Sequence, residues 1–200
     1  LELPLLGEFN ISNLLLVTGL LHQLGYGAEQ LEPALNQVQP VEGRMQRLAN
    51  SKGPVVLVDY AHTPDALVKA LSACRAHMSE GRLAVLFGCG GDRDRGKRSL
   101  MAAAAEQNAD LIWLTSDNPR TENPEQIISD ALSGFSESVQ LVTEVDRGRA
   151  IASIIRATGE GDIVLLAGKG HETYQEINDE RMPFSDAEVA TNALLEGGYL

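Results

Sequence analysis

Pro54-Val55-Val56-Leu57-Val58-Asp59-Tyr60-Ala61-His62-Thr63-Pro64-Asp65 places a strand, a loop and a helix start end to end. The run from Val55 to Val58 is continuously apolar and mostly β-branched, as a strand covered on both faces must be. Thr63 supplies a capping hydroxyl, Pro64 a first-turn residue with no amide hydrogen to lose, and Asp65 an acid for the positive end of the helix. The polar residues between these elements, Asp59 to His62, are demanded by neither. They stand where a parallel sheet presents its ligand-binding edge.

The same unit recurs downstream. Short apolar runs at 55–58, 83–87, 111–114, 139–142 and 163–167 alternate with helical stretches at 64–76, 98–107, 125–132 and 147–157. A last helix, about 187–196, follows the capping box Ser185-Asp186-Ala187-Glu188. Strand–helix alternation of this kind predicts an α/β fold, a Rossmann-like, mainly parallel sheet of five or six strands flanked by helices. Upstream, residues 1–39 read as a short strand carrying Leu3, Leu5 and Leu6, then two helices. Leu14, Leu15, Val17, Leu20, Leu21 and Leu24 give the first helix a wide apolar face that stops at Gly25, and the second fits 29–37. Pro40 and the polar stretch 41–52 read as a linker, with the division into 1–43 and 44–200 falling there.

Composition narrows the function classes. The 200 residues are 44% hydrophobic but only 4% aromatic, so the core is built from Leu, Ile, Val and Ala. The formal charge of −12 disfavours a nucleic-acid surface, which needs a basic face to displace counterions. No apolar run approaches the roughly 20 residues of a membrane span. Two cysteines, Cys74 and Cys89, are too few for a disulfide framework and fit a reducing, cytoplasmic setting. The chain opens Leu1-Glu2-Leu3-Pro4, without Met or a signal-peptide pattern, and reads as cut from a longer protein.

Four polar motifs each follow a strand: Asp59-Tyr60-Ala61-His62-Thr63-Pro64, Gly88-Cys89-Gly90-Gly91-Asp92-Arg93-Asp94-Arg95, Ser116-Asp117-Asn118-Pro119-Arg120 and Gly168-Lys169-Gly170-His171-Glu172. Parallel strands share one carboxyl edge, so the four loops are expected around a common crevice. The second is not a phosphate loop: Gly91 to Gly96-Lys97 has the spacing, but Arg98 stands where the magnesium-binding hydroxyl belongs. It is not a dinucleotide fingerprint either, since Arg93 replaces the third glycine. The better reading is a glycine-permitted turn that projects Arg93 and Arg95 into the crevice to hold carboxylates or phosphates. The third motif joins an acid, an amide and a guanidinium: it is either a zwitterion site, Arg120 for a carboxylate and Asp117 for an ammonium, or a turn and cap before Pro124. The fourth is either a flexible turn or a site. His62, His171, Cys74 and Cys89 lack metal-ligand spacing, and Cys89 reads as a small buried thiol rather than a nucleophile. Asn10 and Asn13, just before the first helix, are candidates for caps.

Together with Gly7-Glu8-Phe9-Asn10-Ile11-Ser12-Asn13 and Gly43-Arg44-Met45, these motifs resemble the Mur ligases, in order and over the whole chain, and most closely their diaminopimelate-adding branch. The resemblance implies a three-domain, ATP- and Mg2+-dependent enzyme that forms an amide bond through an acyl phosphate. Its partners would be meso-diaminopimelate, ATP and UDP-N-acetylmuramoyl-L-alanyl-D-glutamate. Residues 1–43 would end the central ATP-binding domain and 44–200 would form the terminal, amino-acid-binding domain. Asn10, Asn13, Arg44, Asp59 and His62 match positions assigned to ATP, with Asp59 on the ribose and Arg44 near the phosphates. Arg93, Asp117, Asn118, Pro119, Arg120, Gly168 and Glu172 match the diaminopimelate site, Arg120 distinguishing it from the lysine-adding version. The family's phosphate loop, metal-binding groups and modified lysine have no counterpart in these 200 residues, so they carry no catalytic set and are expected to be inactive alone. Two rivals outside the ligase class are a stand-alone amino-acid-binding module and a Rossmann oxidoreductase; within it, a folylpolyglutamate synthetase type is disfavoured by Arg120.

Overall fold

The computed structural model describes residues 5–200. Its frame is a six-stranded sheet in the order β1-β2-β6-β3-β4-β5. The strands are β1 (Gln46–Arg47), β2 (Val55–Asp59), β3 (Leu83–Cys89), β4 (Leu111–Ser116), β5 (Leu141–Glu144) and β6 (Ile163–Ala167). All neighbours pair in parallel except β1, which runs antiparallel to β2. The expected α/β architecture is therefore present.

Side-chain alternation assigns each strand residue to one of two cores. Leu57, Leu83, Val85, Phe87, Ile112, Leu114 and Leu165 face α3 (Pro64–Ala76), α4 (Gly96–Asn108) and α5 (Pro124–Leu132). Val56, Val58, Ala84, Leu86, Trp113, Val164 and Leu166 face α6 (Arg147–Ala157) and α7 (Asp186–Glu196). Every residue of β3 is buried, which explains its unbroken apolar run. Truncating a central side chain such as Leu86 to Ala costs roughly 2–5 kcal/mol in a core packed this closely.

Helix boundaries follow the caps. Thr63 Oγ1 accepts from the Ala66 amide, Asp146 from Arg149 and Ser185 from Glu188, fixing the starts of α3, α6 and α7. Between β2 and β3 the chain passes over one strand position through α3, and β6 returns through α6 to fill it. That reversal opens a crevice at the carboxyl ends of β2, β6, β3 and β4.

Four expectations are corrected. The stretch 41–52 is not only a linker: Gln46 and Arg47 pair with Val58 and Leu57 as an edge strand. The strand expected at 139–142 lies two residues later, and a hairpin of β7 (Tyr174–Ile177) and β8 (Glu180–Pro183) was not anticipated. Of the strand expected near the start, Leu3 lies outside the described residues, while Leu5 and Leu6 form no strand. Asn10 and Asn13 do not precede α1 (Glu8–Gln23) as caps but sit within it; Gly7 is the N-cap, and Asn10 donates back to the Leu6 carbonyl at 2.8 Å. None of the residues of α1 is buried, and α2 (Ala28–Leu35) buries only Leu31. Among the described residues no helix is long and apolar enough to cross a membrane.

Candidate functional site

The four motif loops meet in a cleft of about 260 Å³ lined by Tyr60, His62, Gly90, Arg93, Lys97, Asp117, Asn118, Arg120, Gly168 and Glu172. Each loop leaves a different strand, so the sheet's register, not the local sequence, brings them together.

Glycines permit the approach. A methyl group at Gly91 would collide with the Pro119 carbonyl, and one at Gly88 would press on the backbone from Thr115 to Asp117. Asp92, with a positive φ of 53°, receives the Thr121 amide and hydroxyl on its carboxylate. The second and third loops are thereby fastened to each other. Arg93 lines the cleft, as expected, but Arg95 does not: it is 69% exposed and pairs with Glu122 at 3.0 Å, outside the cleft. Arg98, which excluded a phosphate loop, is fully buried and grips Glu122 at 2.7 Å and Asp130 at 2.7 Å. Its Nη2 also reaches toward the Gly90 carbonyl at 3.5 Å. A cation there closes the turn structurally, and its hydrogen bonds draw the Glu122 carboxyl down to about 2.

At the floor of the cleft lies a buried charged network. Lys169, fully buried, donates to Asn118 Oδ1 at 3.0 Å and Glu172 Oε2 at 3.1 Å, with Asp117 Oδ1 at 3.6 Å. Asn118 in turn donates to Glu172 Oε2 at 2.9 Å and accepts from the Glu176 amide. Asp117 Oδ1 is buried and has no hydrogen-bond partner. Burial raises the Asp117 carboxyl above its ordinary value, Arg147 and Lys169 oppose that, and Glu172 and Asp186 add to it. Gly168, at φ 115°, places its Cα against the Asp117 carboxylate, where a side chain would intrude.

At the rim, Arg44 stacks over the Tyr60 ring at 4.6 Å. Tyr60 packs edge-on to His62 and lies 5.8 Å from the His171 ring. Lys97 Nζ donates to the His62 carbonyl. Asp59 is buried, its two carboxylate oxygens accepting from the Met45 and Ala61 amides at 2.8 Å; burial raises its pKa against the pull of those bonds.

The cleft therefore gathers Arg93, Asp117, Asn118, Arg120, Gly168, Glu172 and His62. Pro119 shapes the same loop without lining the cleft, and its carbonyl accepts from the Glu122 amide. Arg44 and Asp59 border it, while Asn10 and Asn13 stand apart on α1. Sequence reasoning missed Lys97, Arg147, Lys169 and Glu176. Only Lys169 carried a signal, as a lysine between two glycines at a strand end. Cys89 is 3% exposed at the end of β3, and burial pushes its thiol up to about 11, which removes it as a nucleophile at neutral pH. Three cations facing two acids and an amide suit a small ligand with both carboxylate and ammonium groups.

Residues 43–170 match the family described as Mur ligase, glutamate ligase domain, and the chain belongs to that family. Among curated relatives it is 55% identical, over 95% of its length, to the UDP-N-acetylmuramoyl-L-alanyl-D-glutamate--2,6-diaminopimelate ligase of Ectopseudomonas mendocina. It is 54% identical, over 97% of its length, to the protein of the same name from Pseudomonas aeruginosa. The chain spans 39% and 40% of those two proteins. A solved structure of a ligase of that name superposes with a TM-score of 0.78 at 42% identity, over all of this chain and 41% of the other. The Thermotoga maritima UDP-N-acetylmuramate-alanine ligase shares the fold, with a TM-score of 0.69 at 21% identity over 99% of this chain and 40% of the other.

Proposed function

We propose that this chain is the amino-acid-presenting terminal part of a cytoplasmic, ATP-dependent ligase that adds meso-diaminopimelate to UDP-N-acetylmuramoyl-L-alanyl-D-glutamate. The observation that carries the reading is the cleft itself, which Arg120 and Arg93 line together with the acids Asp117 and Glu172. Identity of about half with ligases bearing that name supports it. We further propose that residues 1–43 belong with the preceding ATP-binding domain and 44–200 form the amino-acid domain.

In the reaction, the D-glutamyl γ-carboxylate takes the γ-phosphoryl group of ATP, releasing ADP. The diaminopimelate amine then attacks the acyl carbon, phosphate departs and the amine loses a proton. The share of this chain is orientation. Arg120 and Arg93 hold carboxylates, while Asp117 and Glu172 hold an ammonium; fixing both ends of the nucleophile supplies much of the rate enhancement available from proximity. Arg44 and His62, on the exposed rim, are suited to the nucleotide phosphates, and closure of this domain would bring them there. Asp59 is less free, because both its oxygens already receive backbone amides. Among the described residues no group of three or more His, Cys, Asp or Glu is placed to hold a metal ion, so no step is assigned to magnesium here.

The test is calorimetric titration of the chain with meso-diaminopimelate and, separately, L-lysine. Saturable binding of the first, at least about tenfold tighter than the second, supports the assignment. Equal affinity for the two would remove Arg120 as the reader of a distal carboxylate.

A further inference from the structure

Arg120 is held in an unusual way. Its φ is 52°, a left-handed conformation that L-residues other than glycine rarely adopt. Strained residues of this kind persist only where surrounding contacts fix them. Here β7 and the residue that follows it do so. The Arg120 amide donates to the Glu176 carbonyl at 2.9 Å, and the Asn178 amide donates to the Arg120 carbonyl at 2.8 Å. The adjacent loop residues are stitched to the same strand: Gln175 Nε2 donates to the Asp117 carbonyl at 2.7 Å and the Glu176 amide to Asn118 Oδ1 at 3.0 Å.

The side chain is oriented as firmly as the backbone. Arg120 Nε donates to Glu176 Oε2 at 3.2 Å, and Nη1 donates to the Gly91 carbonyl at 2.7 Å. Two of the five N–H donors of the guanidinium are thereby committed, one on Nε and one on Nη1. The remaining three have no hydrogen-bond partner among the described residues, and Arg120 lines the cleft. Both side chains are sheltered, at 19% and 26% exposure, so the pair is neither fully solvated nor fully buried.

We propose that Glu176 is a positioning residue that presents Arg120 to an incoming carboxylate and thereby sets selectivity for an amino acid bearing one. The proposal rests on the assignment of Arg120 to the amino-acid substrate. Physically, a free arginine side chain must give up several rotors to make a two-point contact, and Glu176 has already fixed them. The opposite role is also chemically possible: a carboxylate on Arg120 can occupy the place a substrate carboxylate needs. The geometry favours positioning, because Glu176 engages Nε alone.

Two measurements decide it. In the first, Glu176→Ala and Glu176→Gln are introduced into the ligase that contains this chain, and Michaelis constants are measured for meso-diaminopimelate and ATP. Glu176→Ala is expected to raise the meso-diaminopimelate constant about fivefold, leaving kcat and the ATP constant within about twofold. Glu176→Gln keeps an oxygen acceptor for Nε and is expected to restore most of the loss. An unchanged or lowered meso-diaminopimelate constant in Glu176→Ala, or an equal rise for ATP, overturns the proposal. In the second, the Arg120 Nε–H resonance is followed by nitrogen-15 NMR in the 200-residue chain without ligand. Slow solvent exchange in wild type and in Glu176→Gln, and rapid exchange in Glu176→Ala, is the expected pattern; rapid exchange in wild type overturns it. If the wild-type enzyme fails to use meso-diaminopimelate, the substrate assignment falls, while the resonance still reports whether Glu176 holds Arg120.

Discussion

Arg147 and Asp186, both fully buried, face each other through paired hydrogen bonds of 2.7 Å, from Nε to Oδ1 and from Nη2 to Oδ2. The same guanidinium donates to the Ala167 carbonyl at 3.0 Å and reaches the Ser116 carbonyl at 3.4 Å. Those carbonyls end β6 and β4, the strands that deliver Lys169 and Asp117 to the cleft. One arginine on α6 thus ties two site-bearing strand ends to the start of α7. Removing it alone strands a buried carboxylate. Arg147→Met is expected to destabilise the chain by roughly 3–5 kcal/mol, whereas Arg147→Met combined with Asp186→Leu recovers most of that loss. Urea denaturation of the two variants against wild type checks it; equal losses in both would mean that the carbonyl contacts, not the charge pair, carry the stability.

Arg120→Ala should raise the Michaelis constant for meso-diaminopimelate in the containing ligase by about tenfold or more, since a charge-assisted bidentate contact is lost. The constant for ATP should move little. An equal rise in both would place Arg120 with the nucleotide instead.

Gly91 lies under the Pro119 carbonyl, with no room for a side chain. Gly91→Ala must therefore push the loop carrying Asp117 to Arg120 out of place, at a cost of about 1–3 kcal/mol. Binding of meso-diaminopimelate should weaken more than the thermal midpoint falls. A variant that melts early yet binds normally once folded would show that the loop tolerates the displacement.

Glu122 gives a pH signature. Hydrogen bonds from Arg98 and the Asp92 amide hold its carboxyl at about 2, against an ordinary 4.5. A depressed folded value means the stabilisation is complete above about 4.5 and is lost as pH falls from there toward 2. The urea midpoint of wild type should drop more steeply over that window than that of Glu122→Gln. Parallel curves for the two proteins would remove Glu122 as the titrating group.

These 200 residues alone should not hydrolyse ATP at a detectable rate. Phosphoryl transfer depends on a backbone cradle, a lysine and a metal held together, and the one look-alike segment, Gly91 to Lys97, instead turns into α4 with Arg98 locked to Glu122 and Asp130. Phosphate release with ATP, magnesium and both co-substrates is the measurement. Turnover that survives removal of any larger ligase would show a complete site within the chain.

The sequence by itself determined whatever rests on local chemistry. The caps at Thr63 and Ser185 specify helix starts because a side-chain oxygen satisfies an amide three residues away. The apolar runs identify buried strands, and the loop motifs at their ends identify a shared edge. Nothing local marks β1, whose two residues are too few for any periodicity and are a strand only because β2 lies beside them. Nothing local separates Arg95, on the surface, from Arg98, three residues later and buried against Glu122 and Asp130. Arg147 and Glu176 look like ordinary charged residues until the fold shelters them and supplies Asp186 and Arg120 as partners. Burial and ion pairing are properties of what arrives from elsewhere in the chain, and only the tertiary structure decides what arrives.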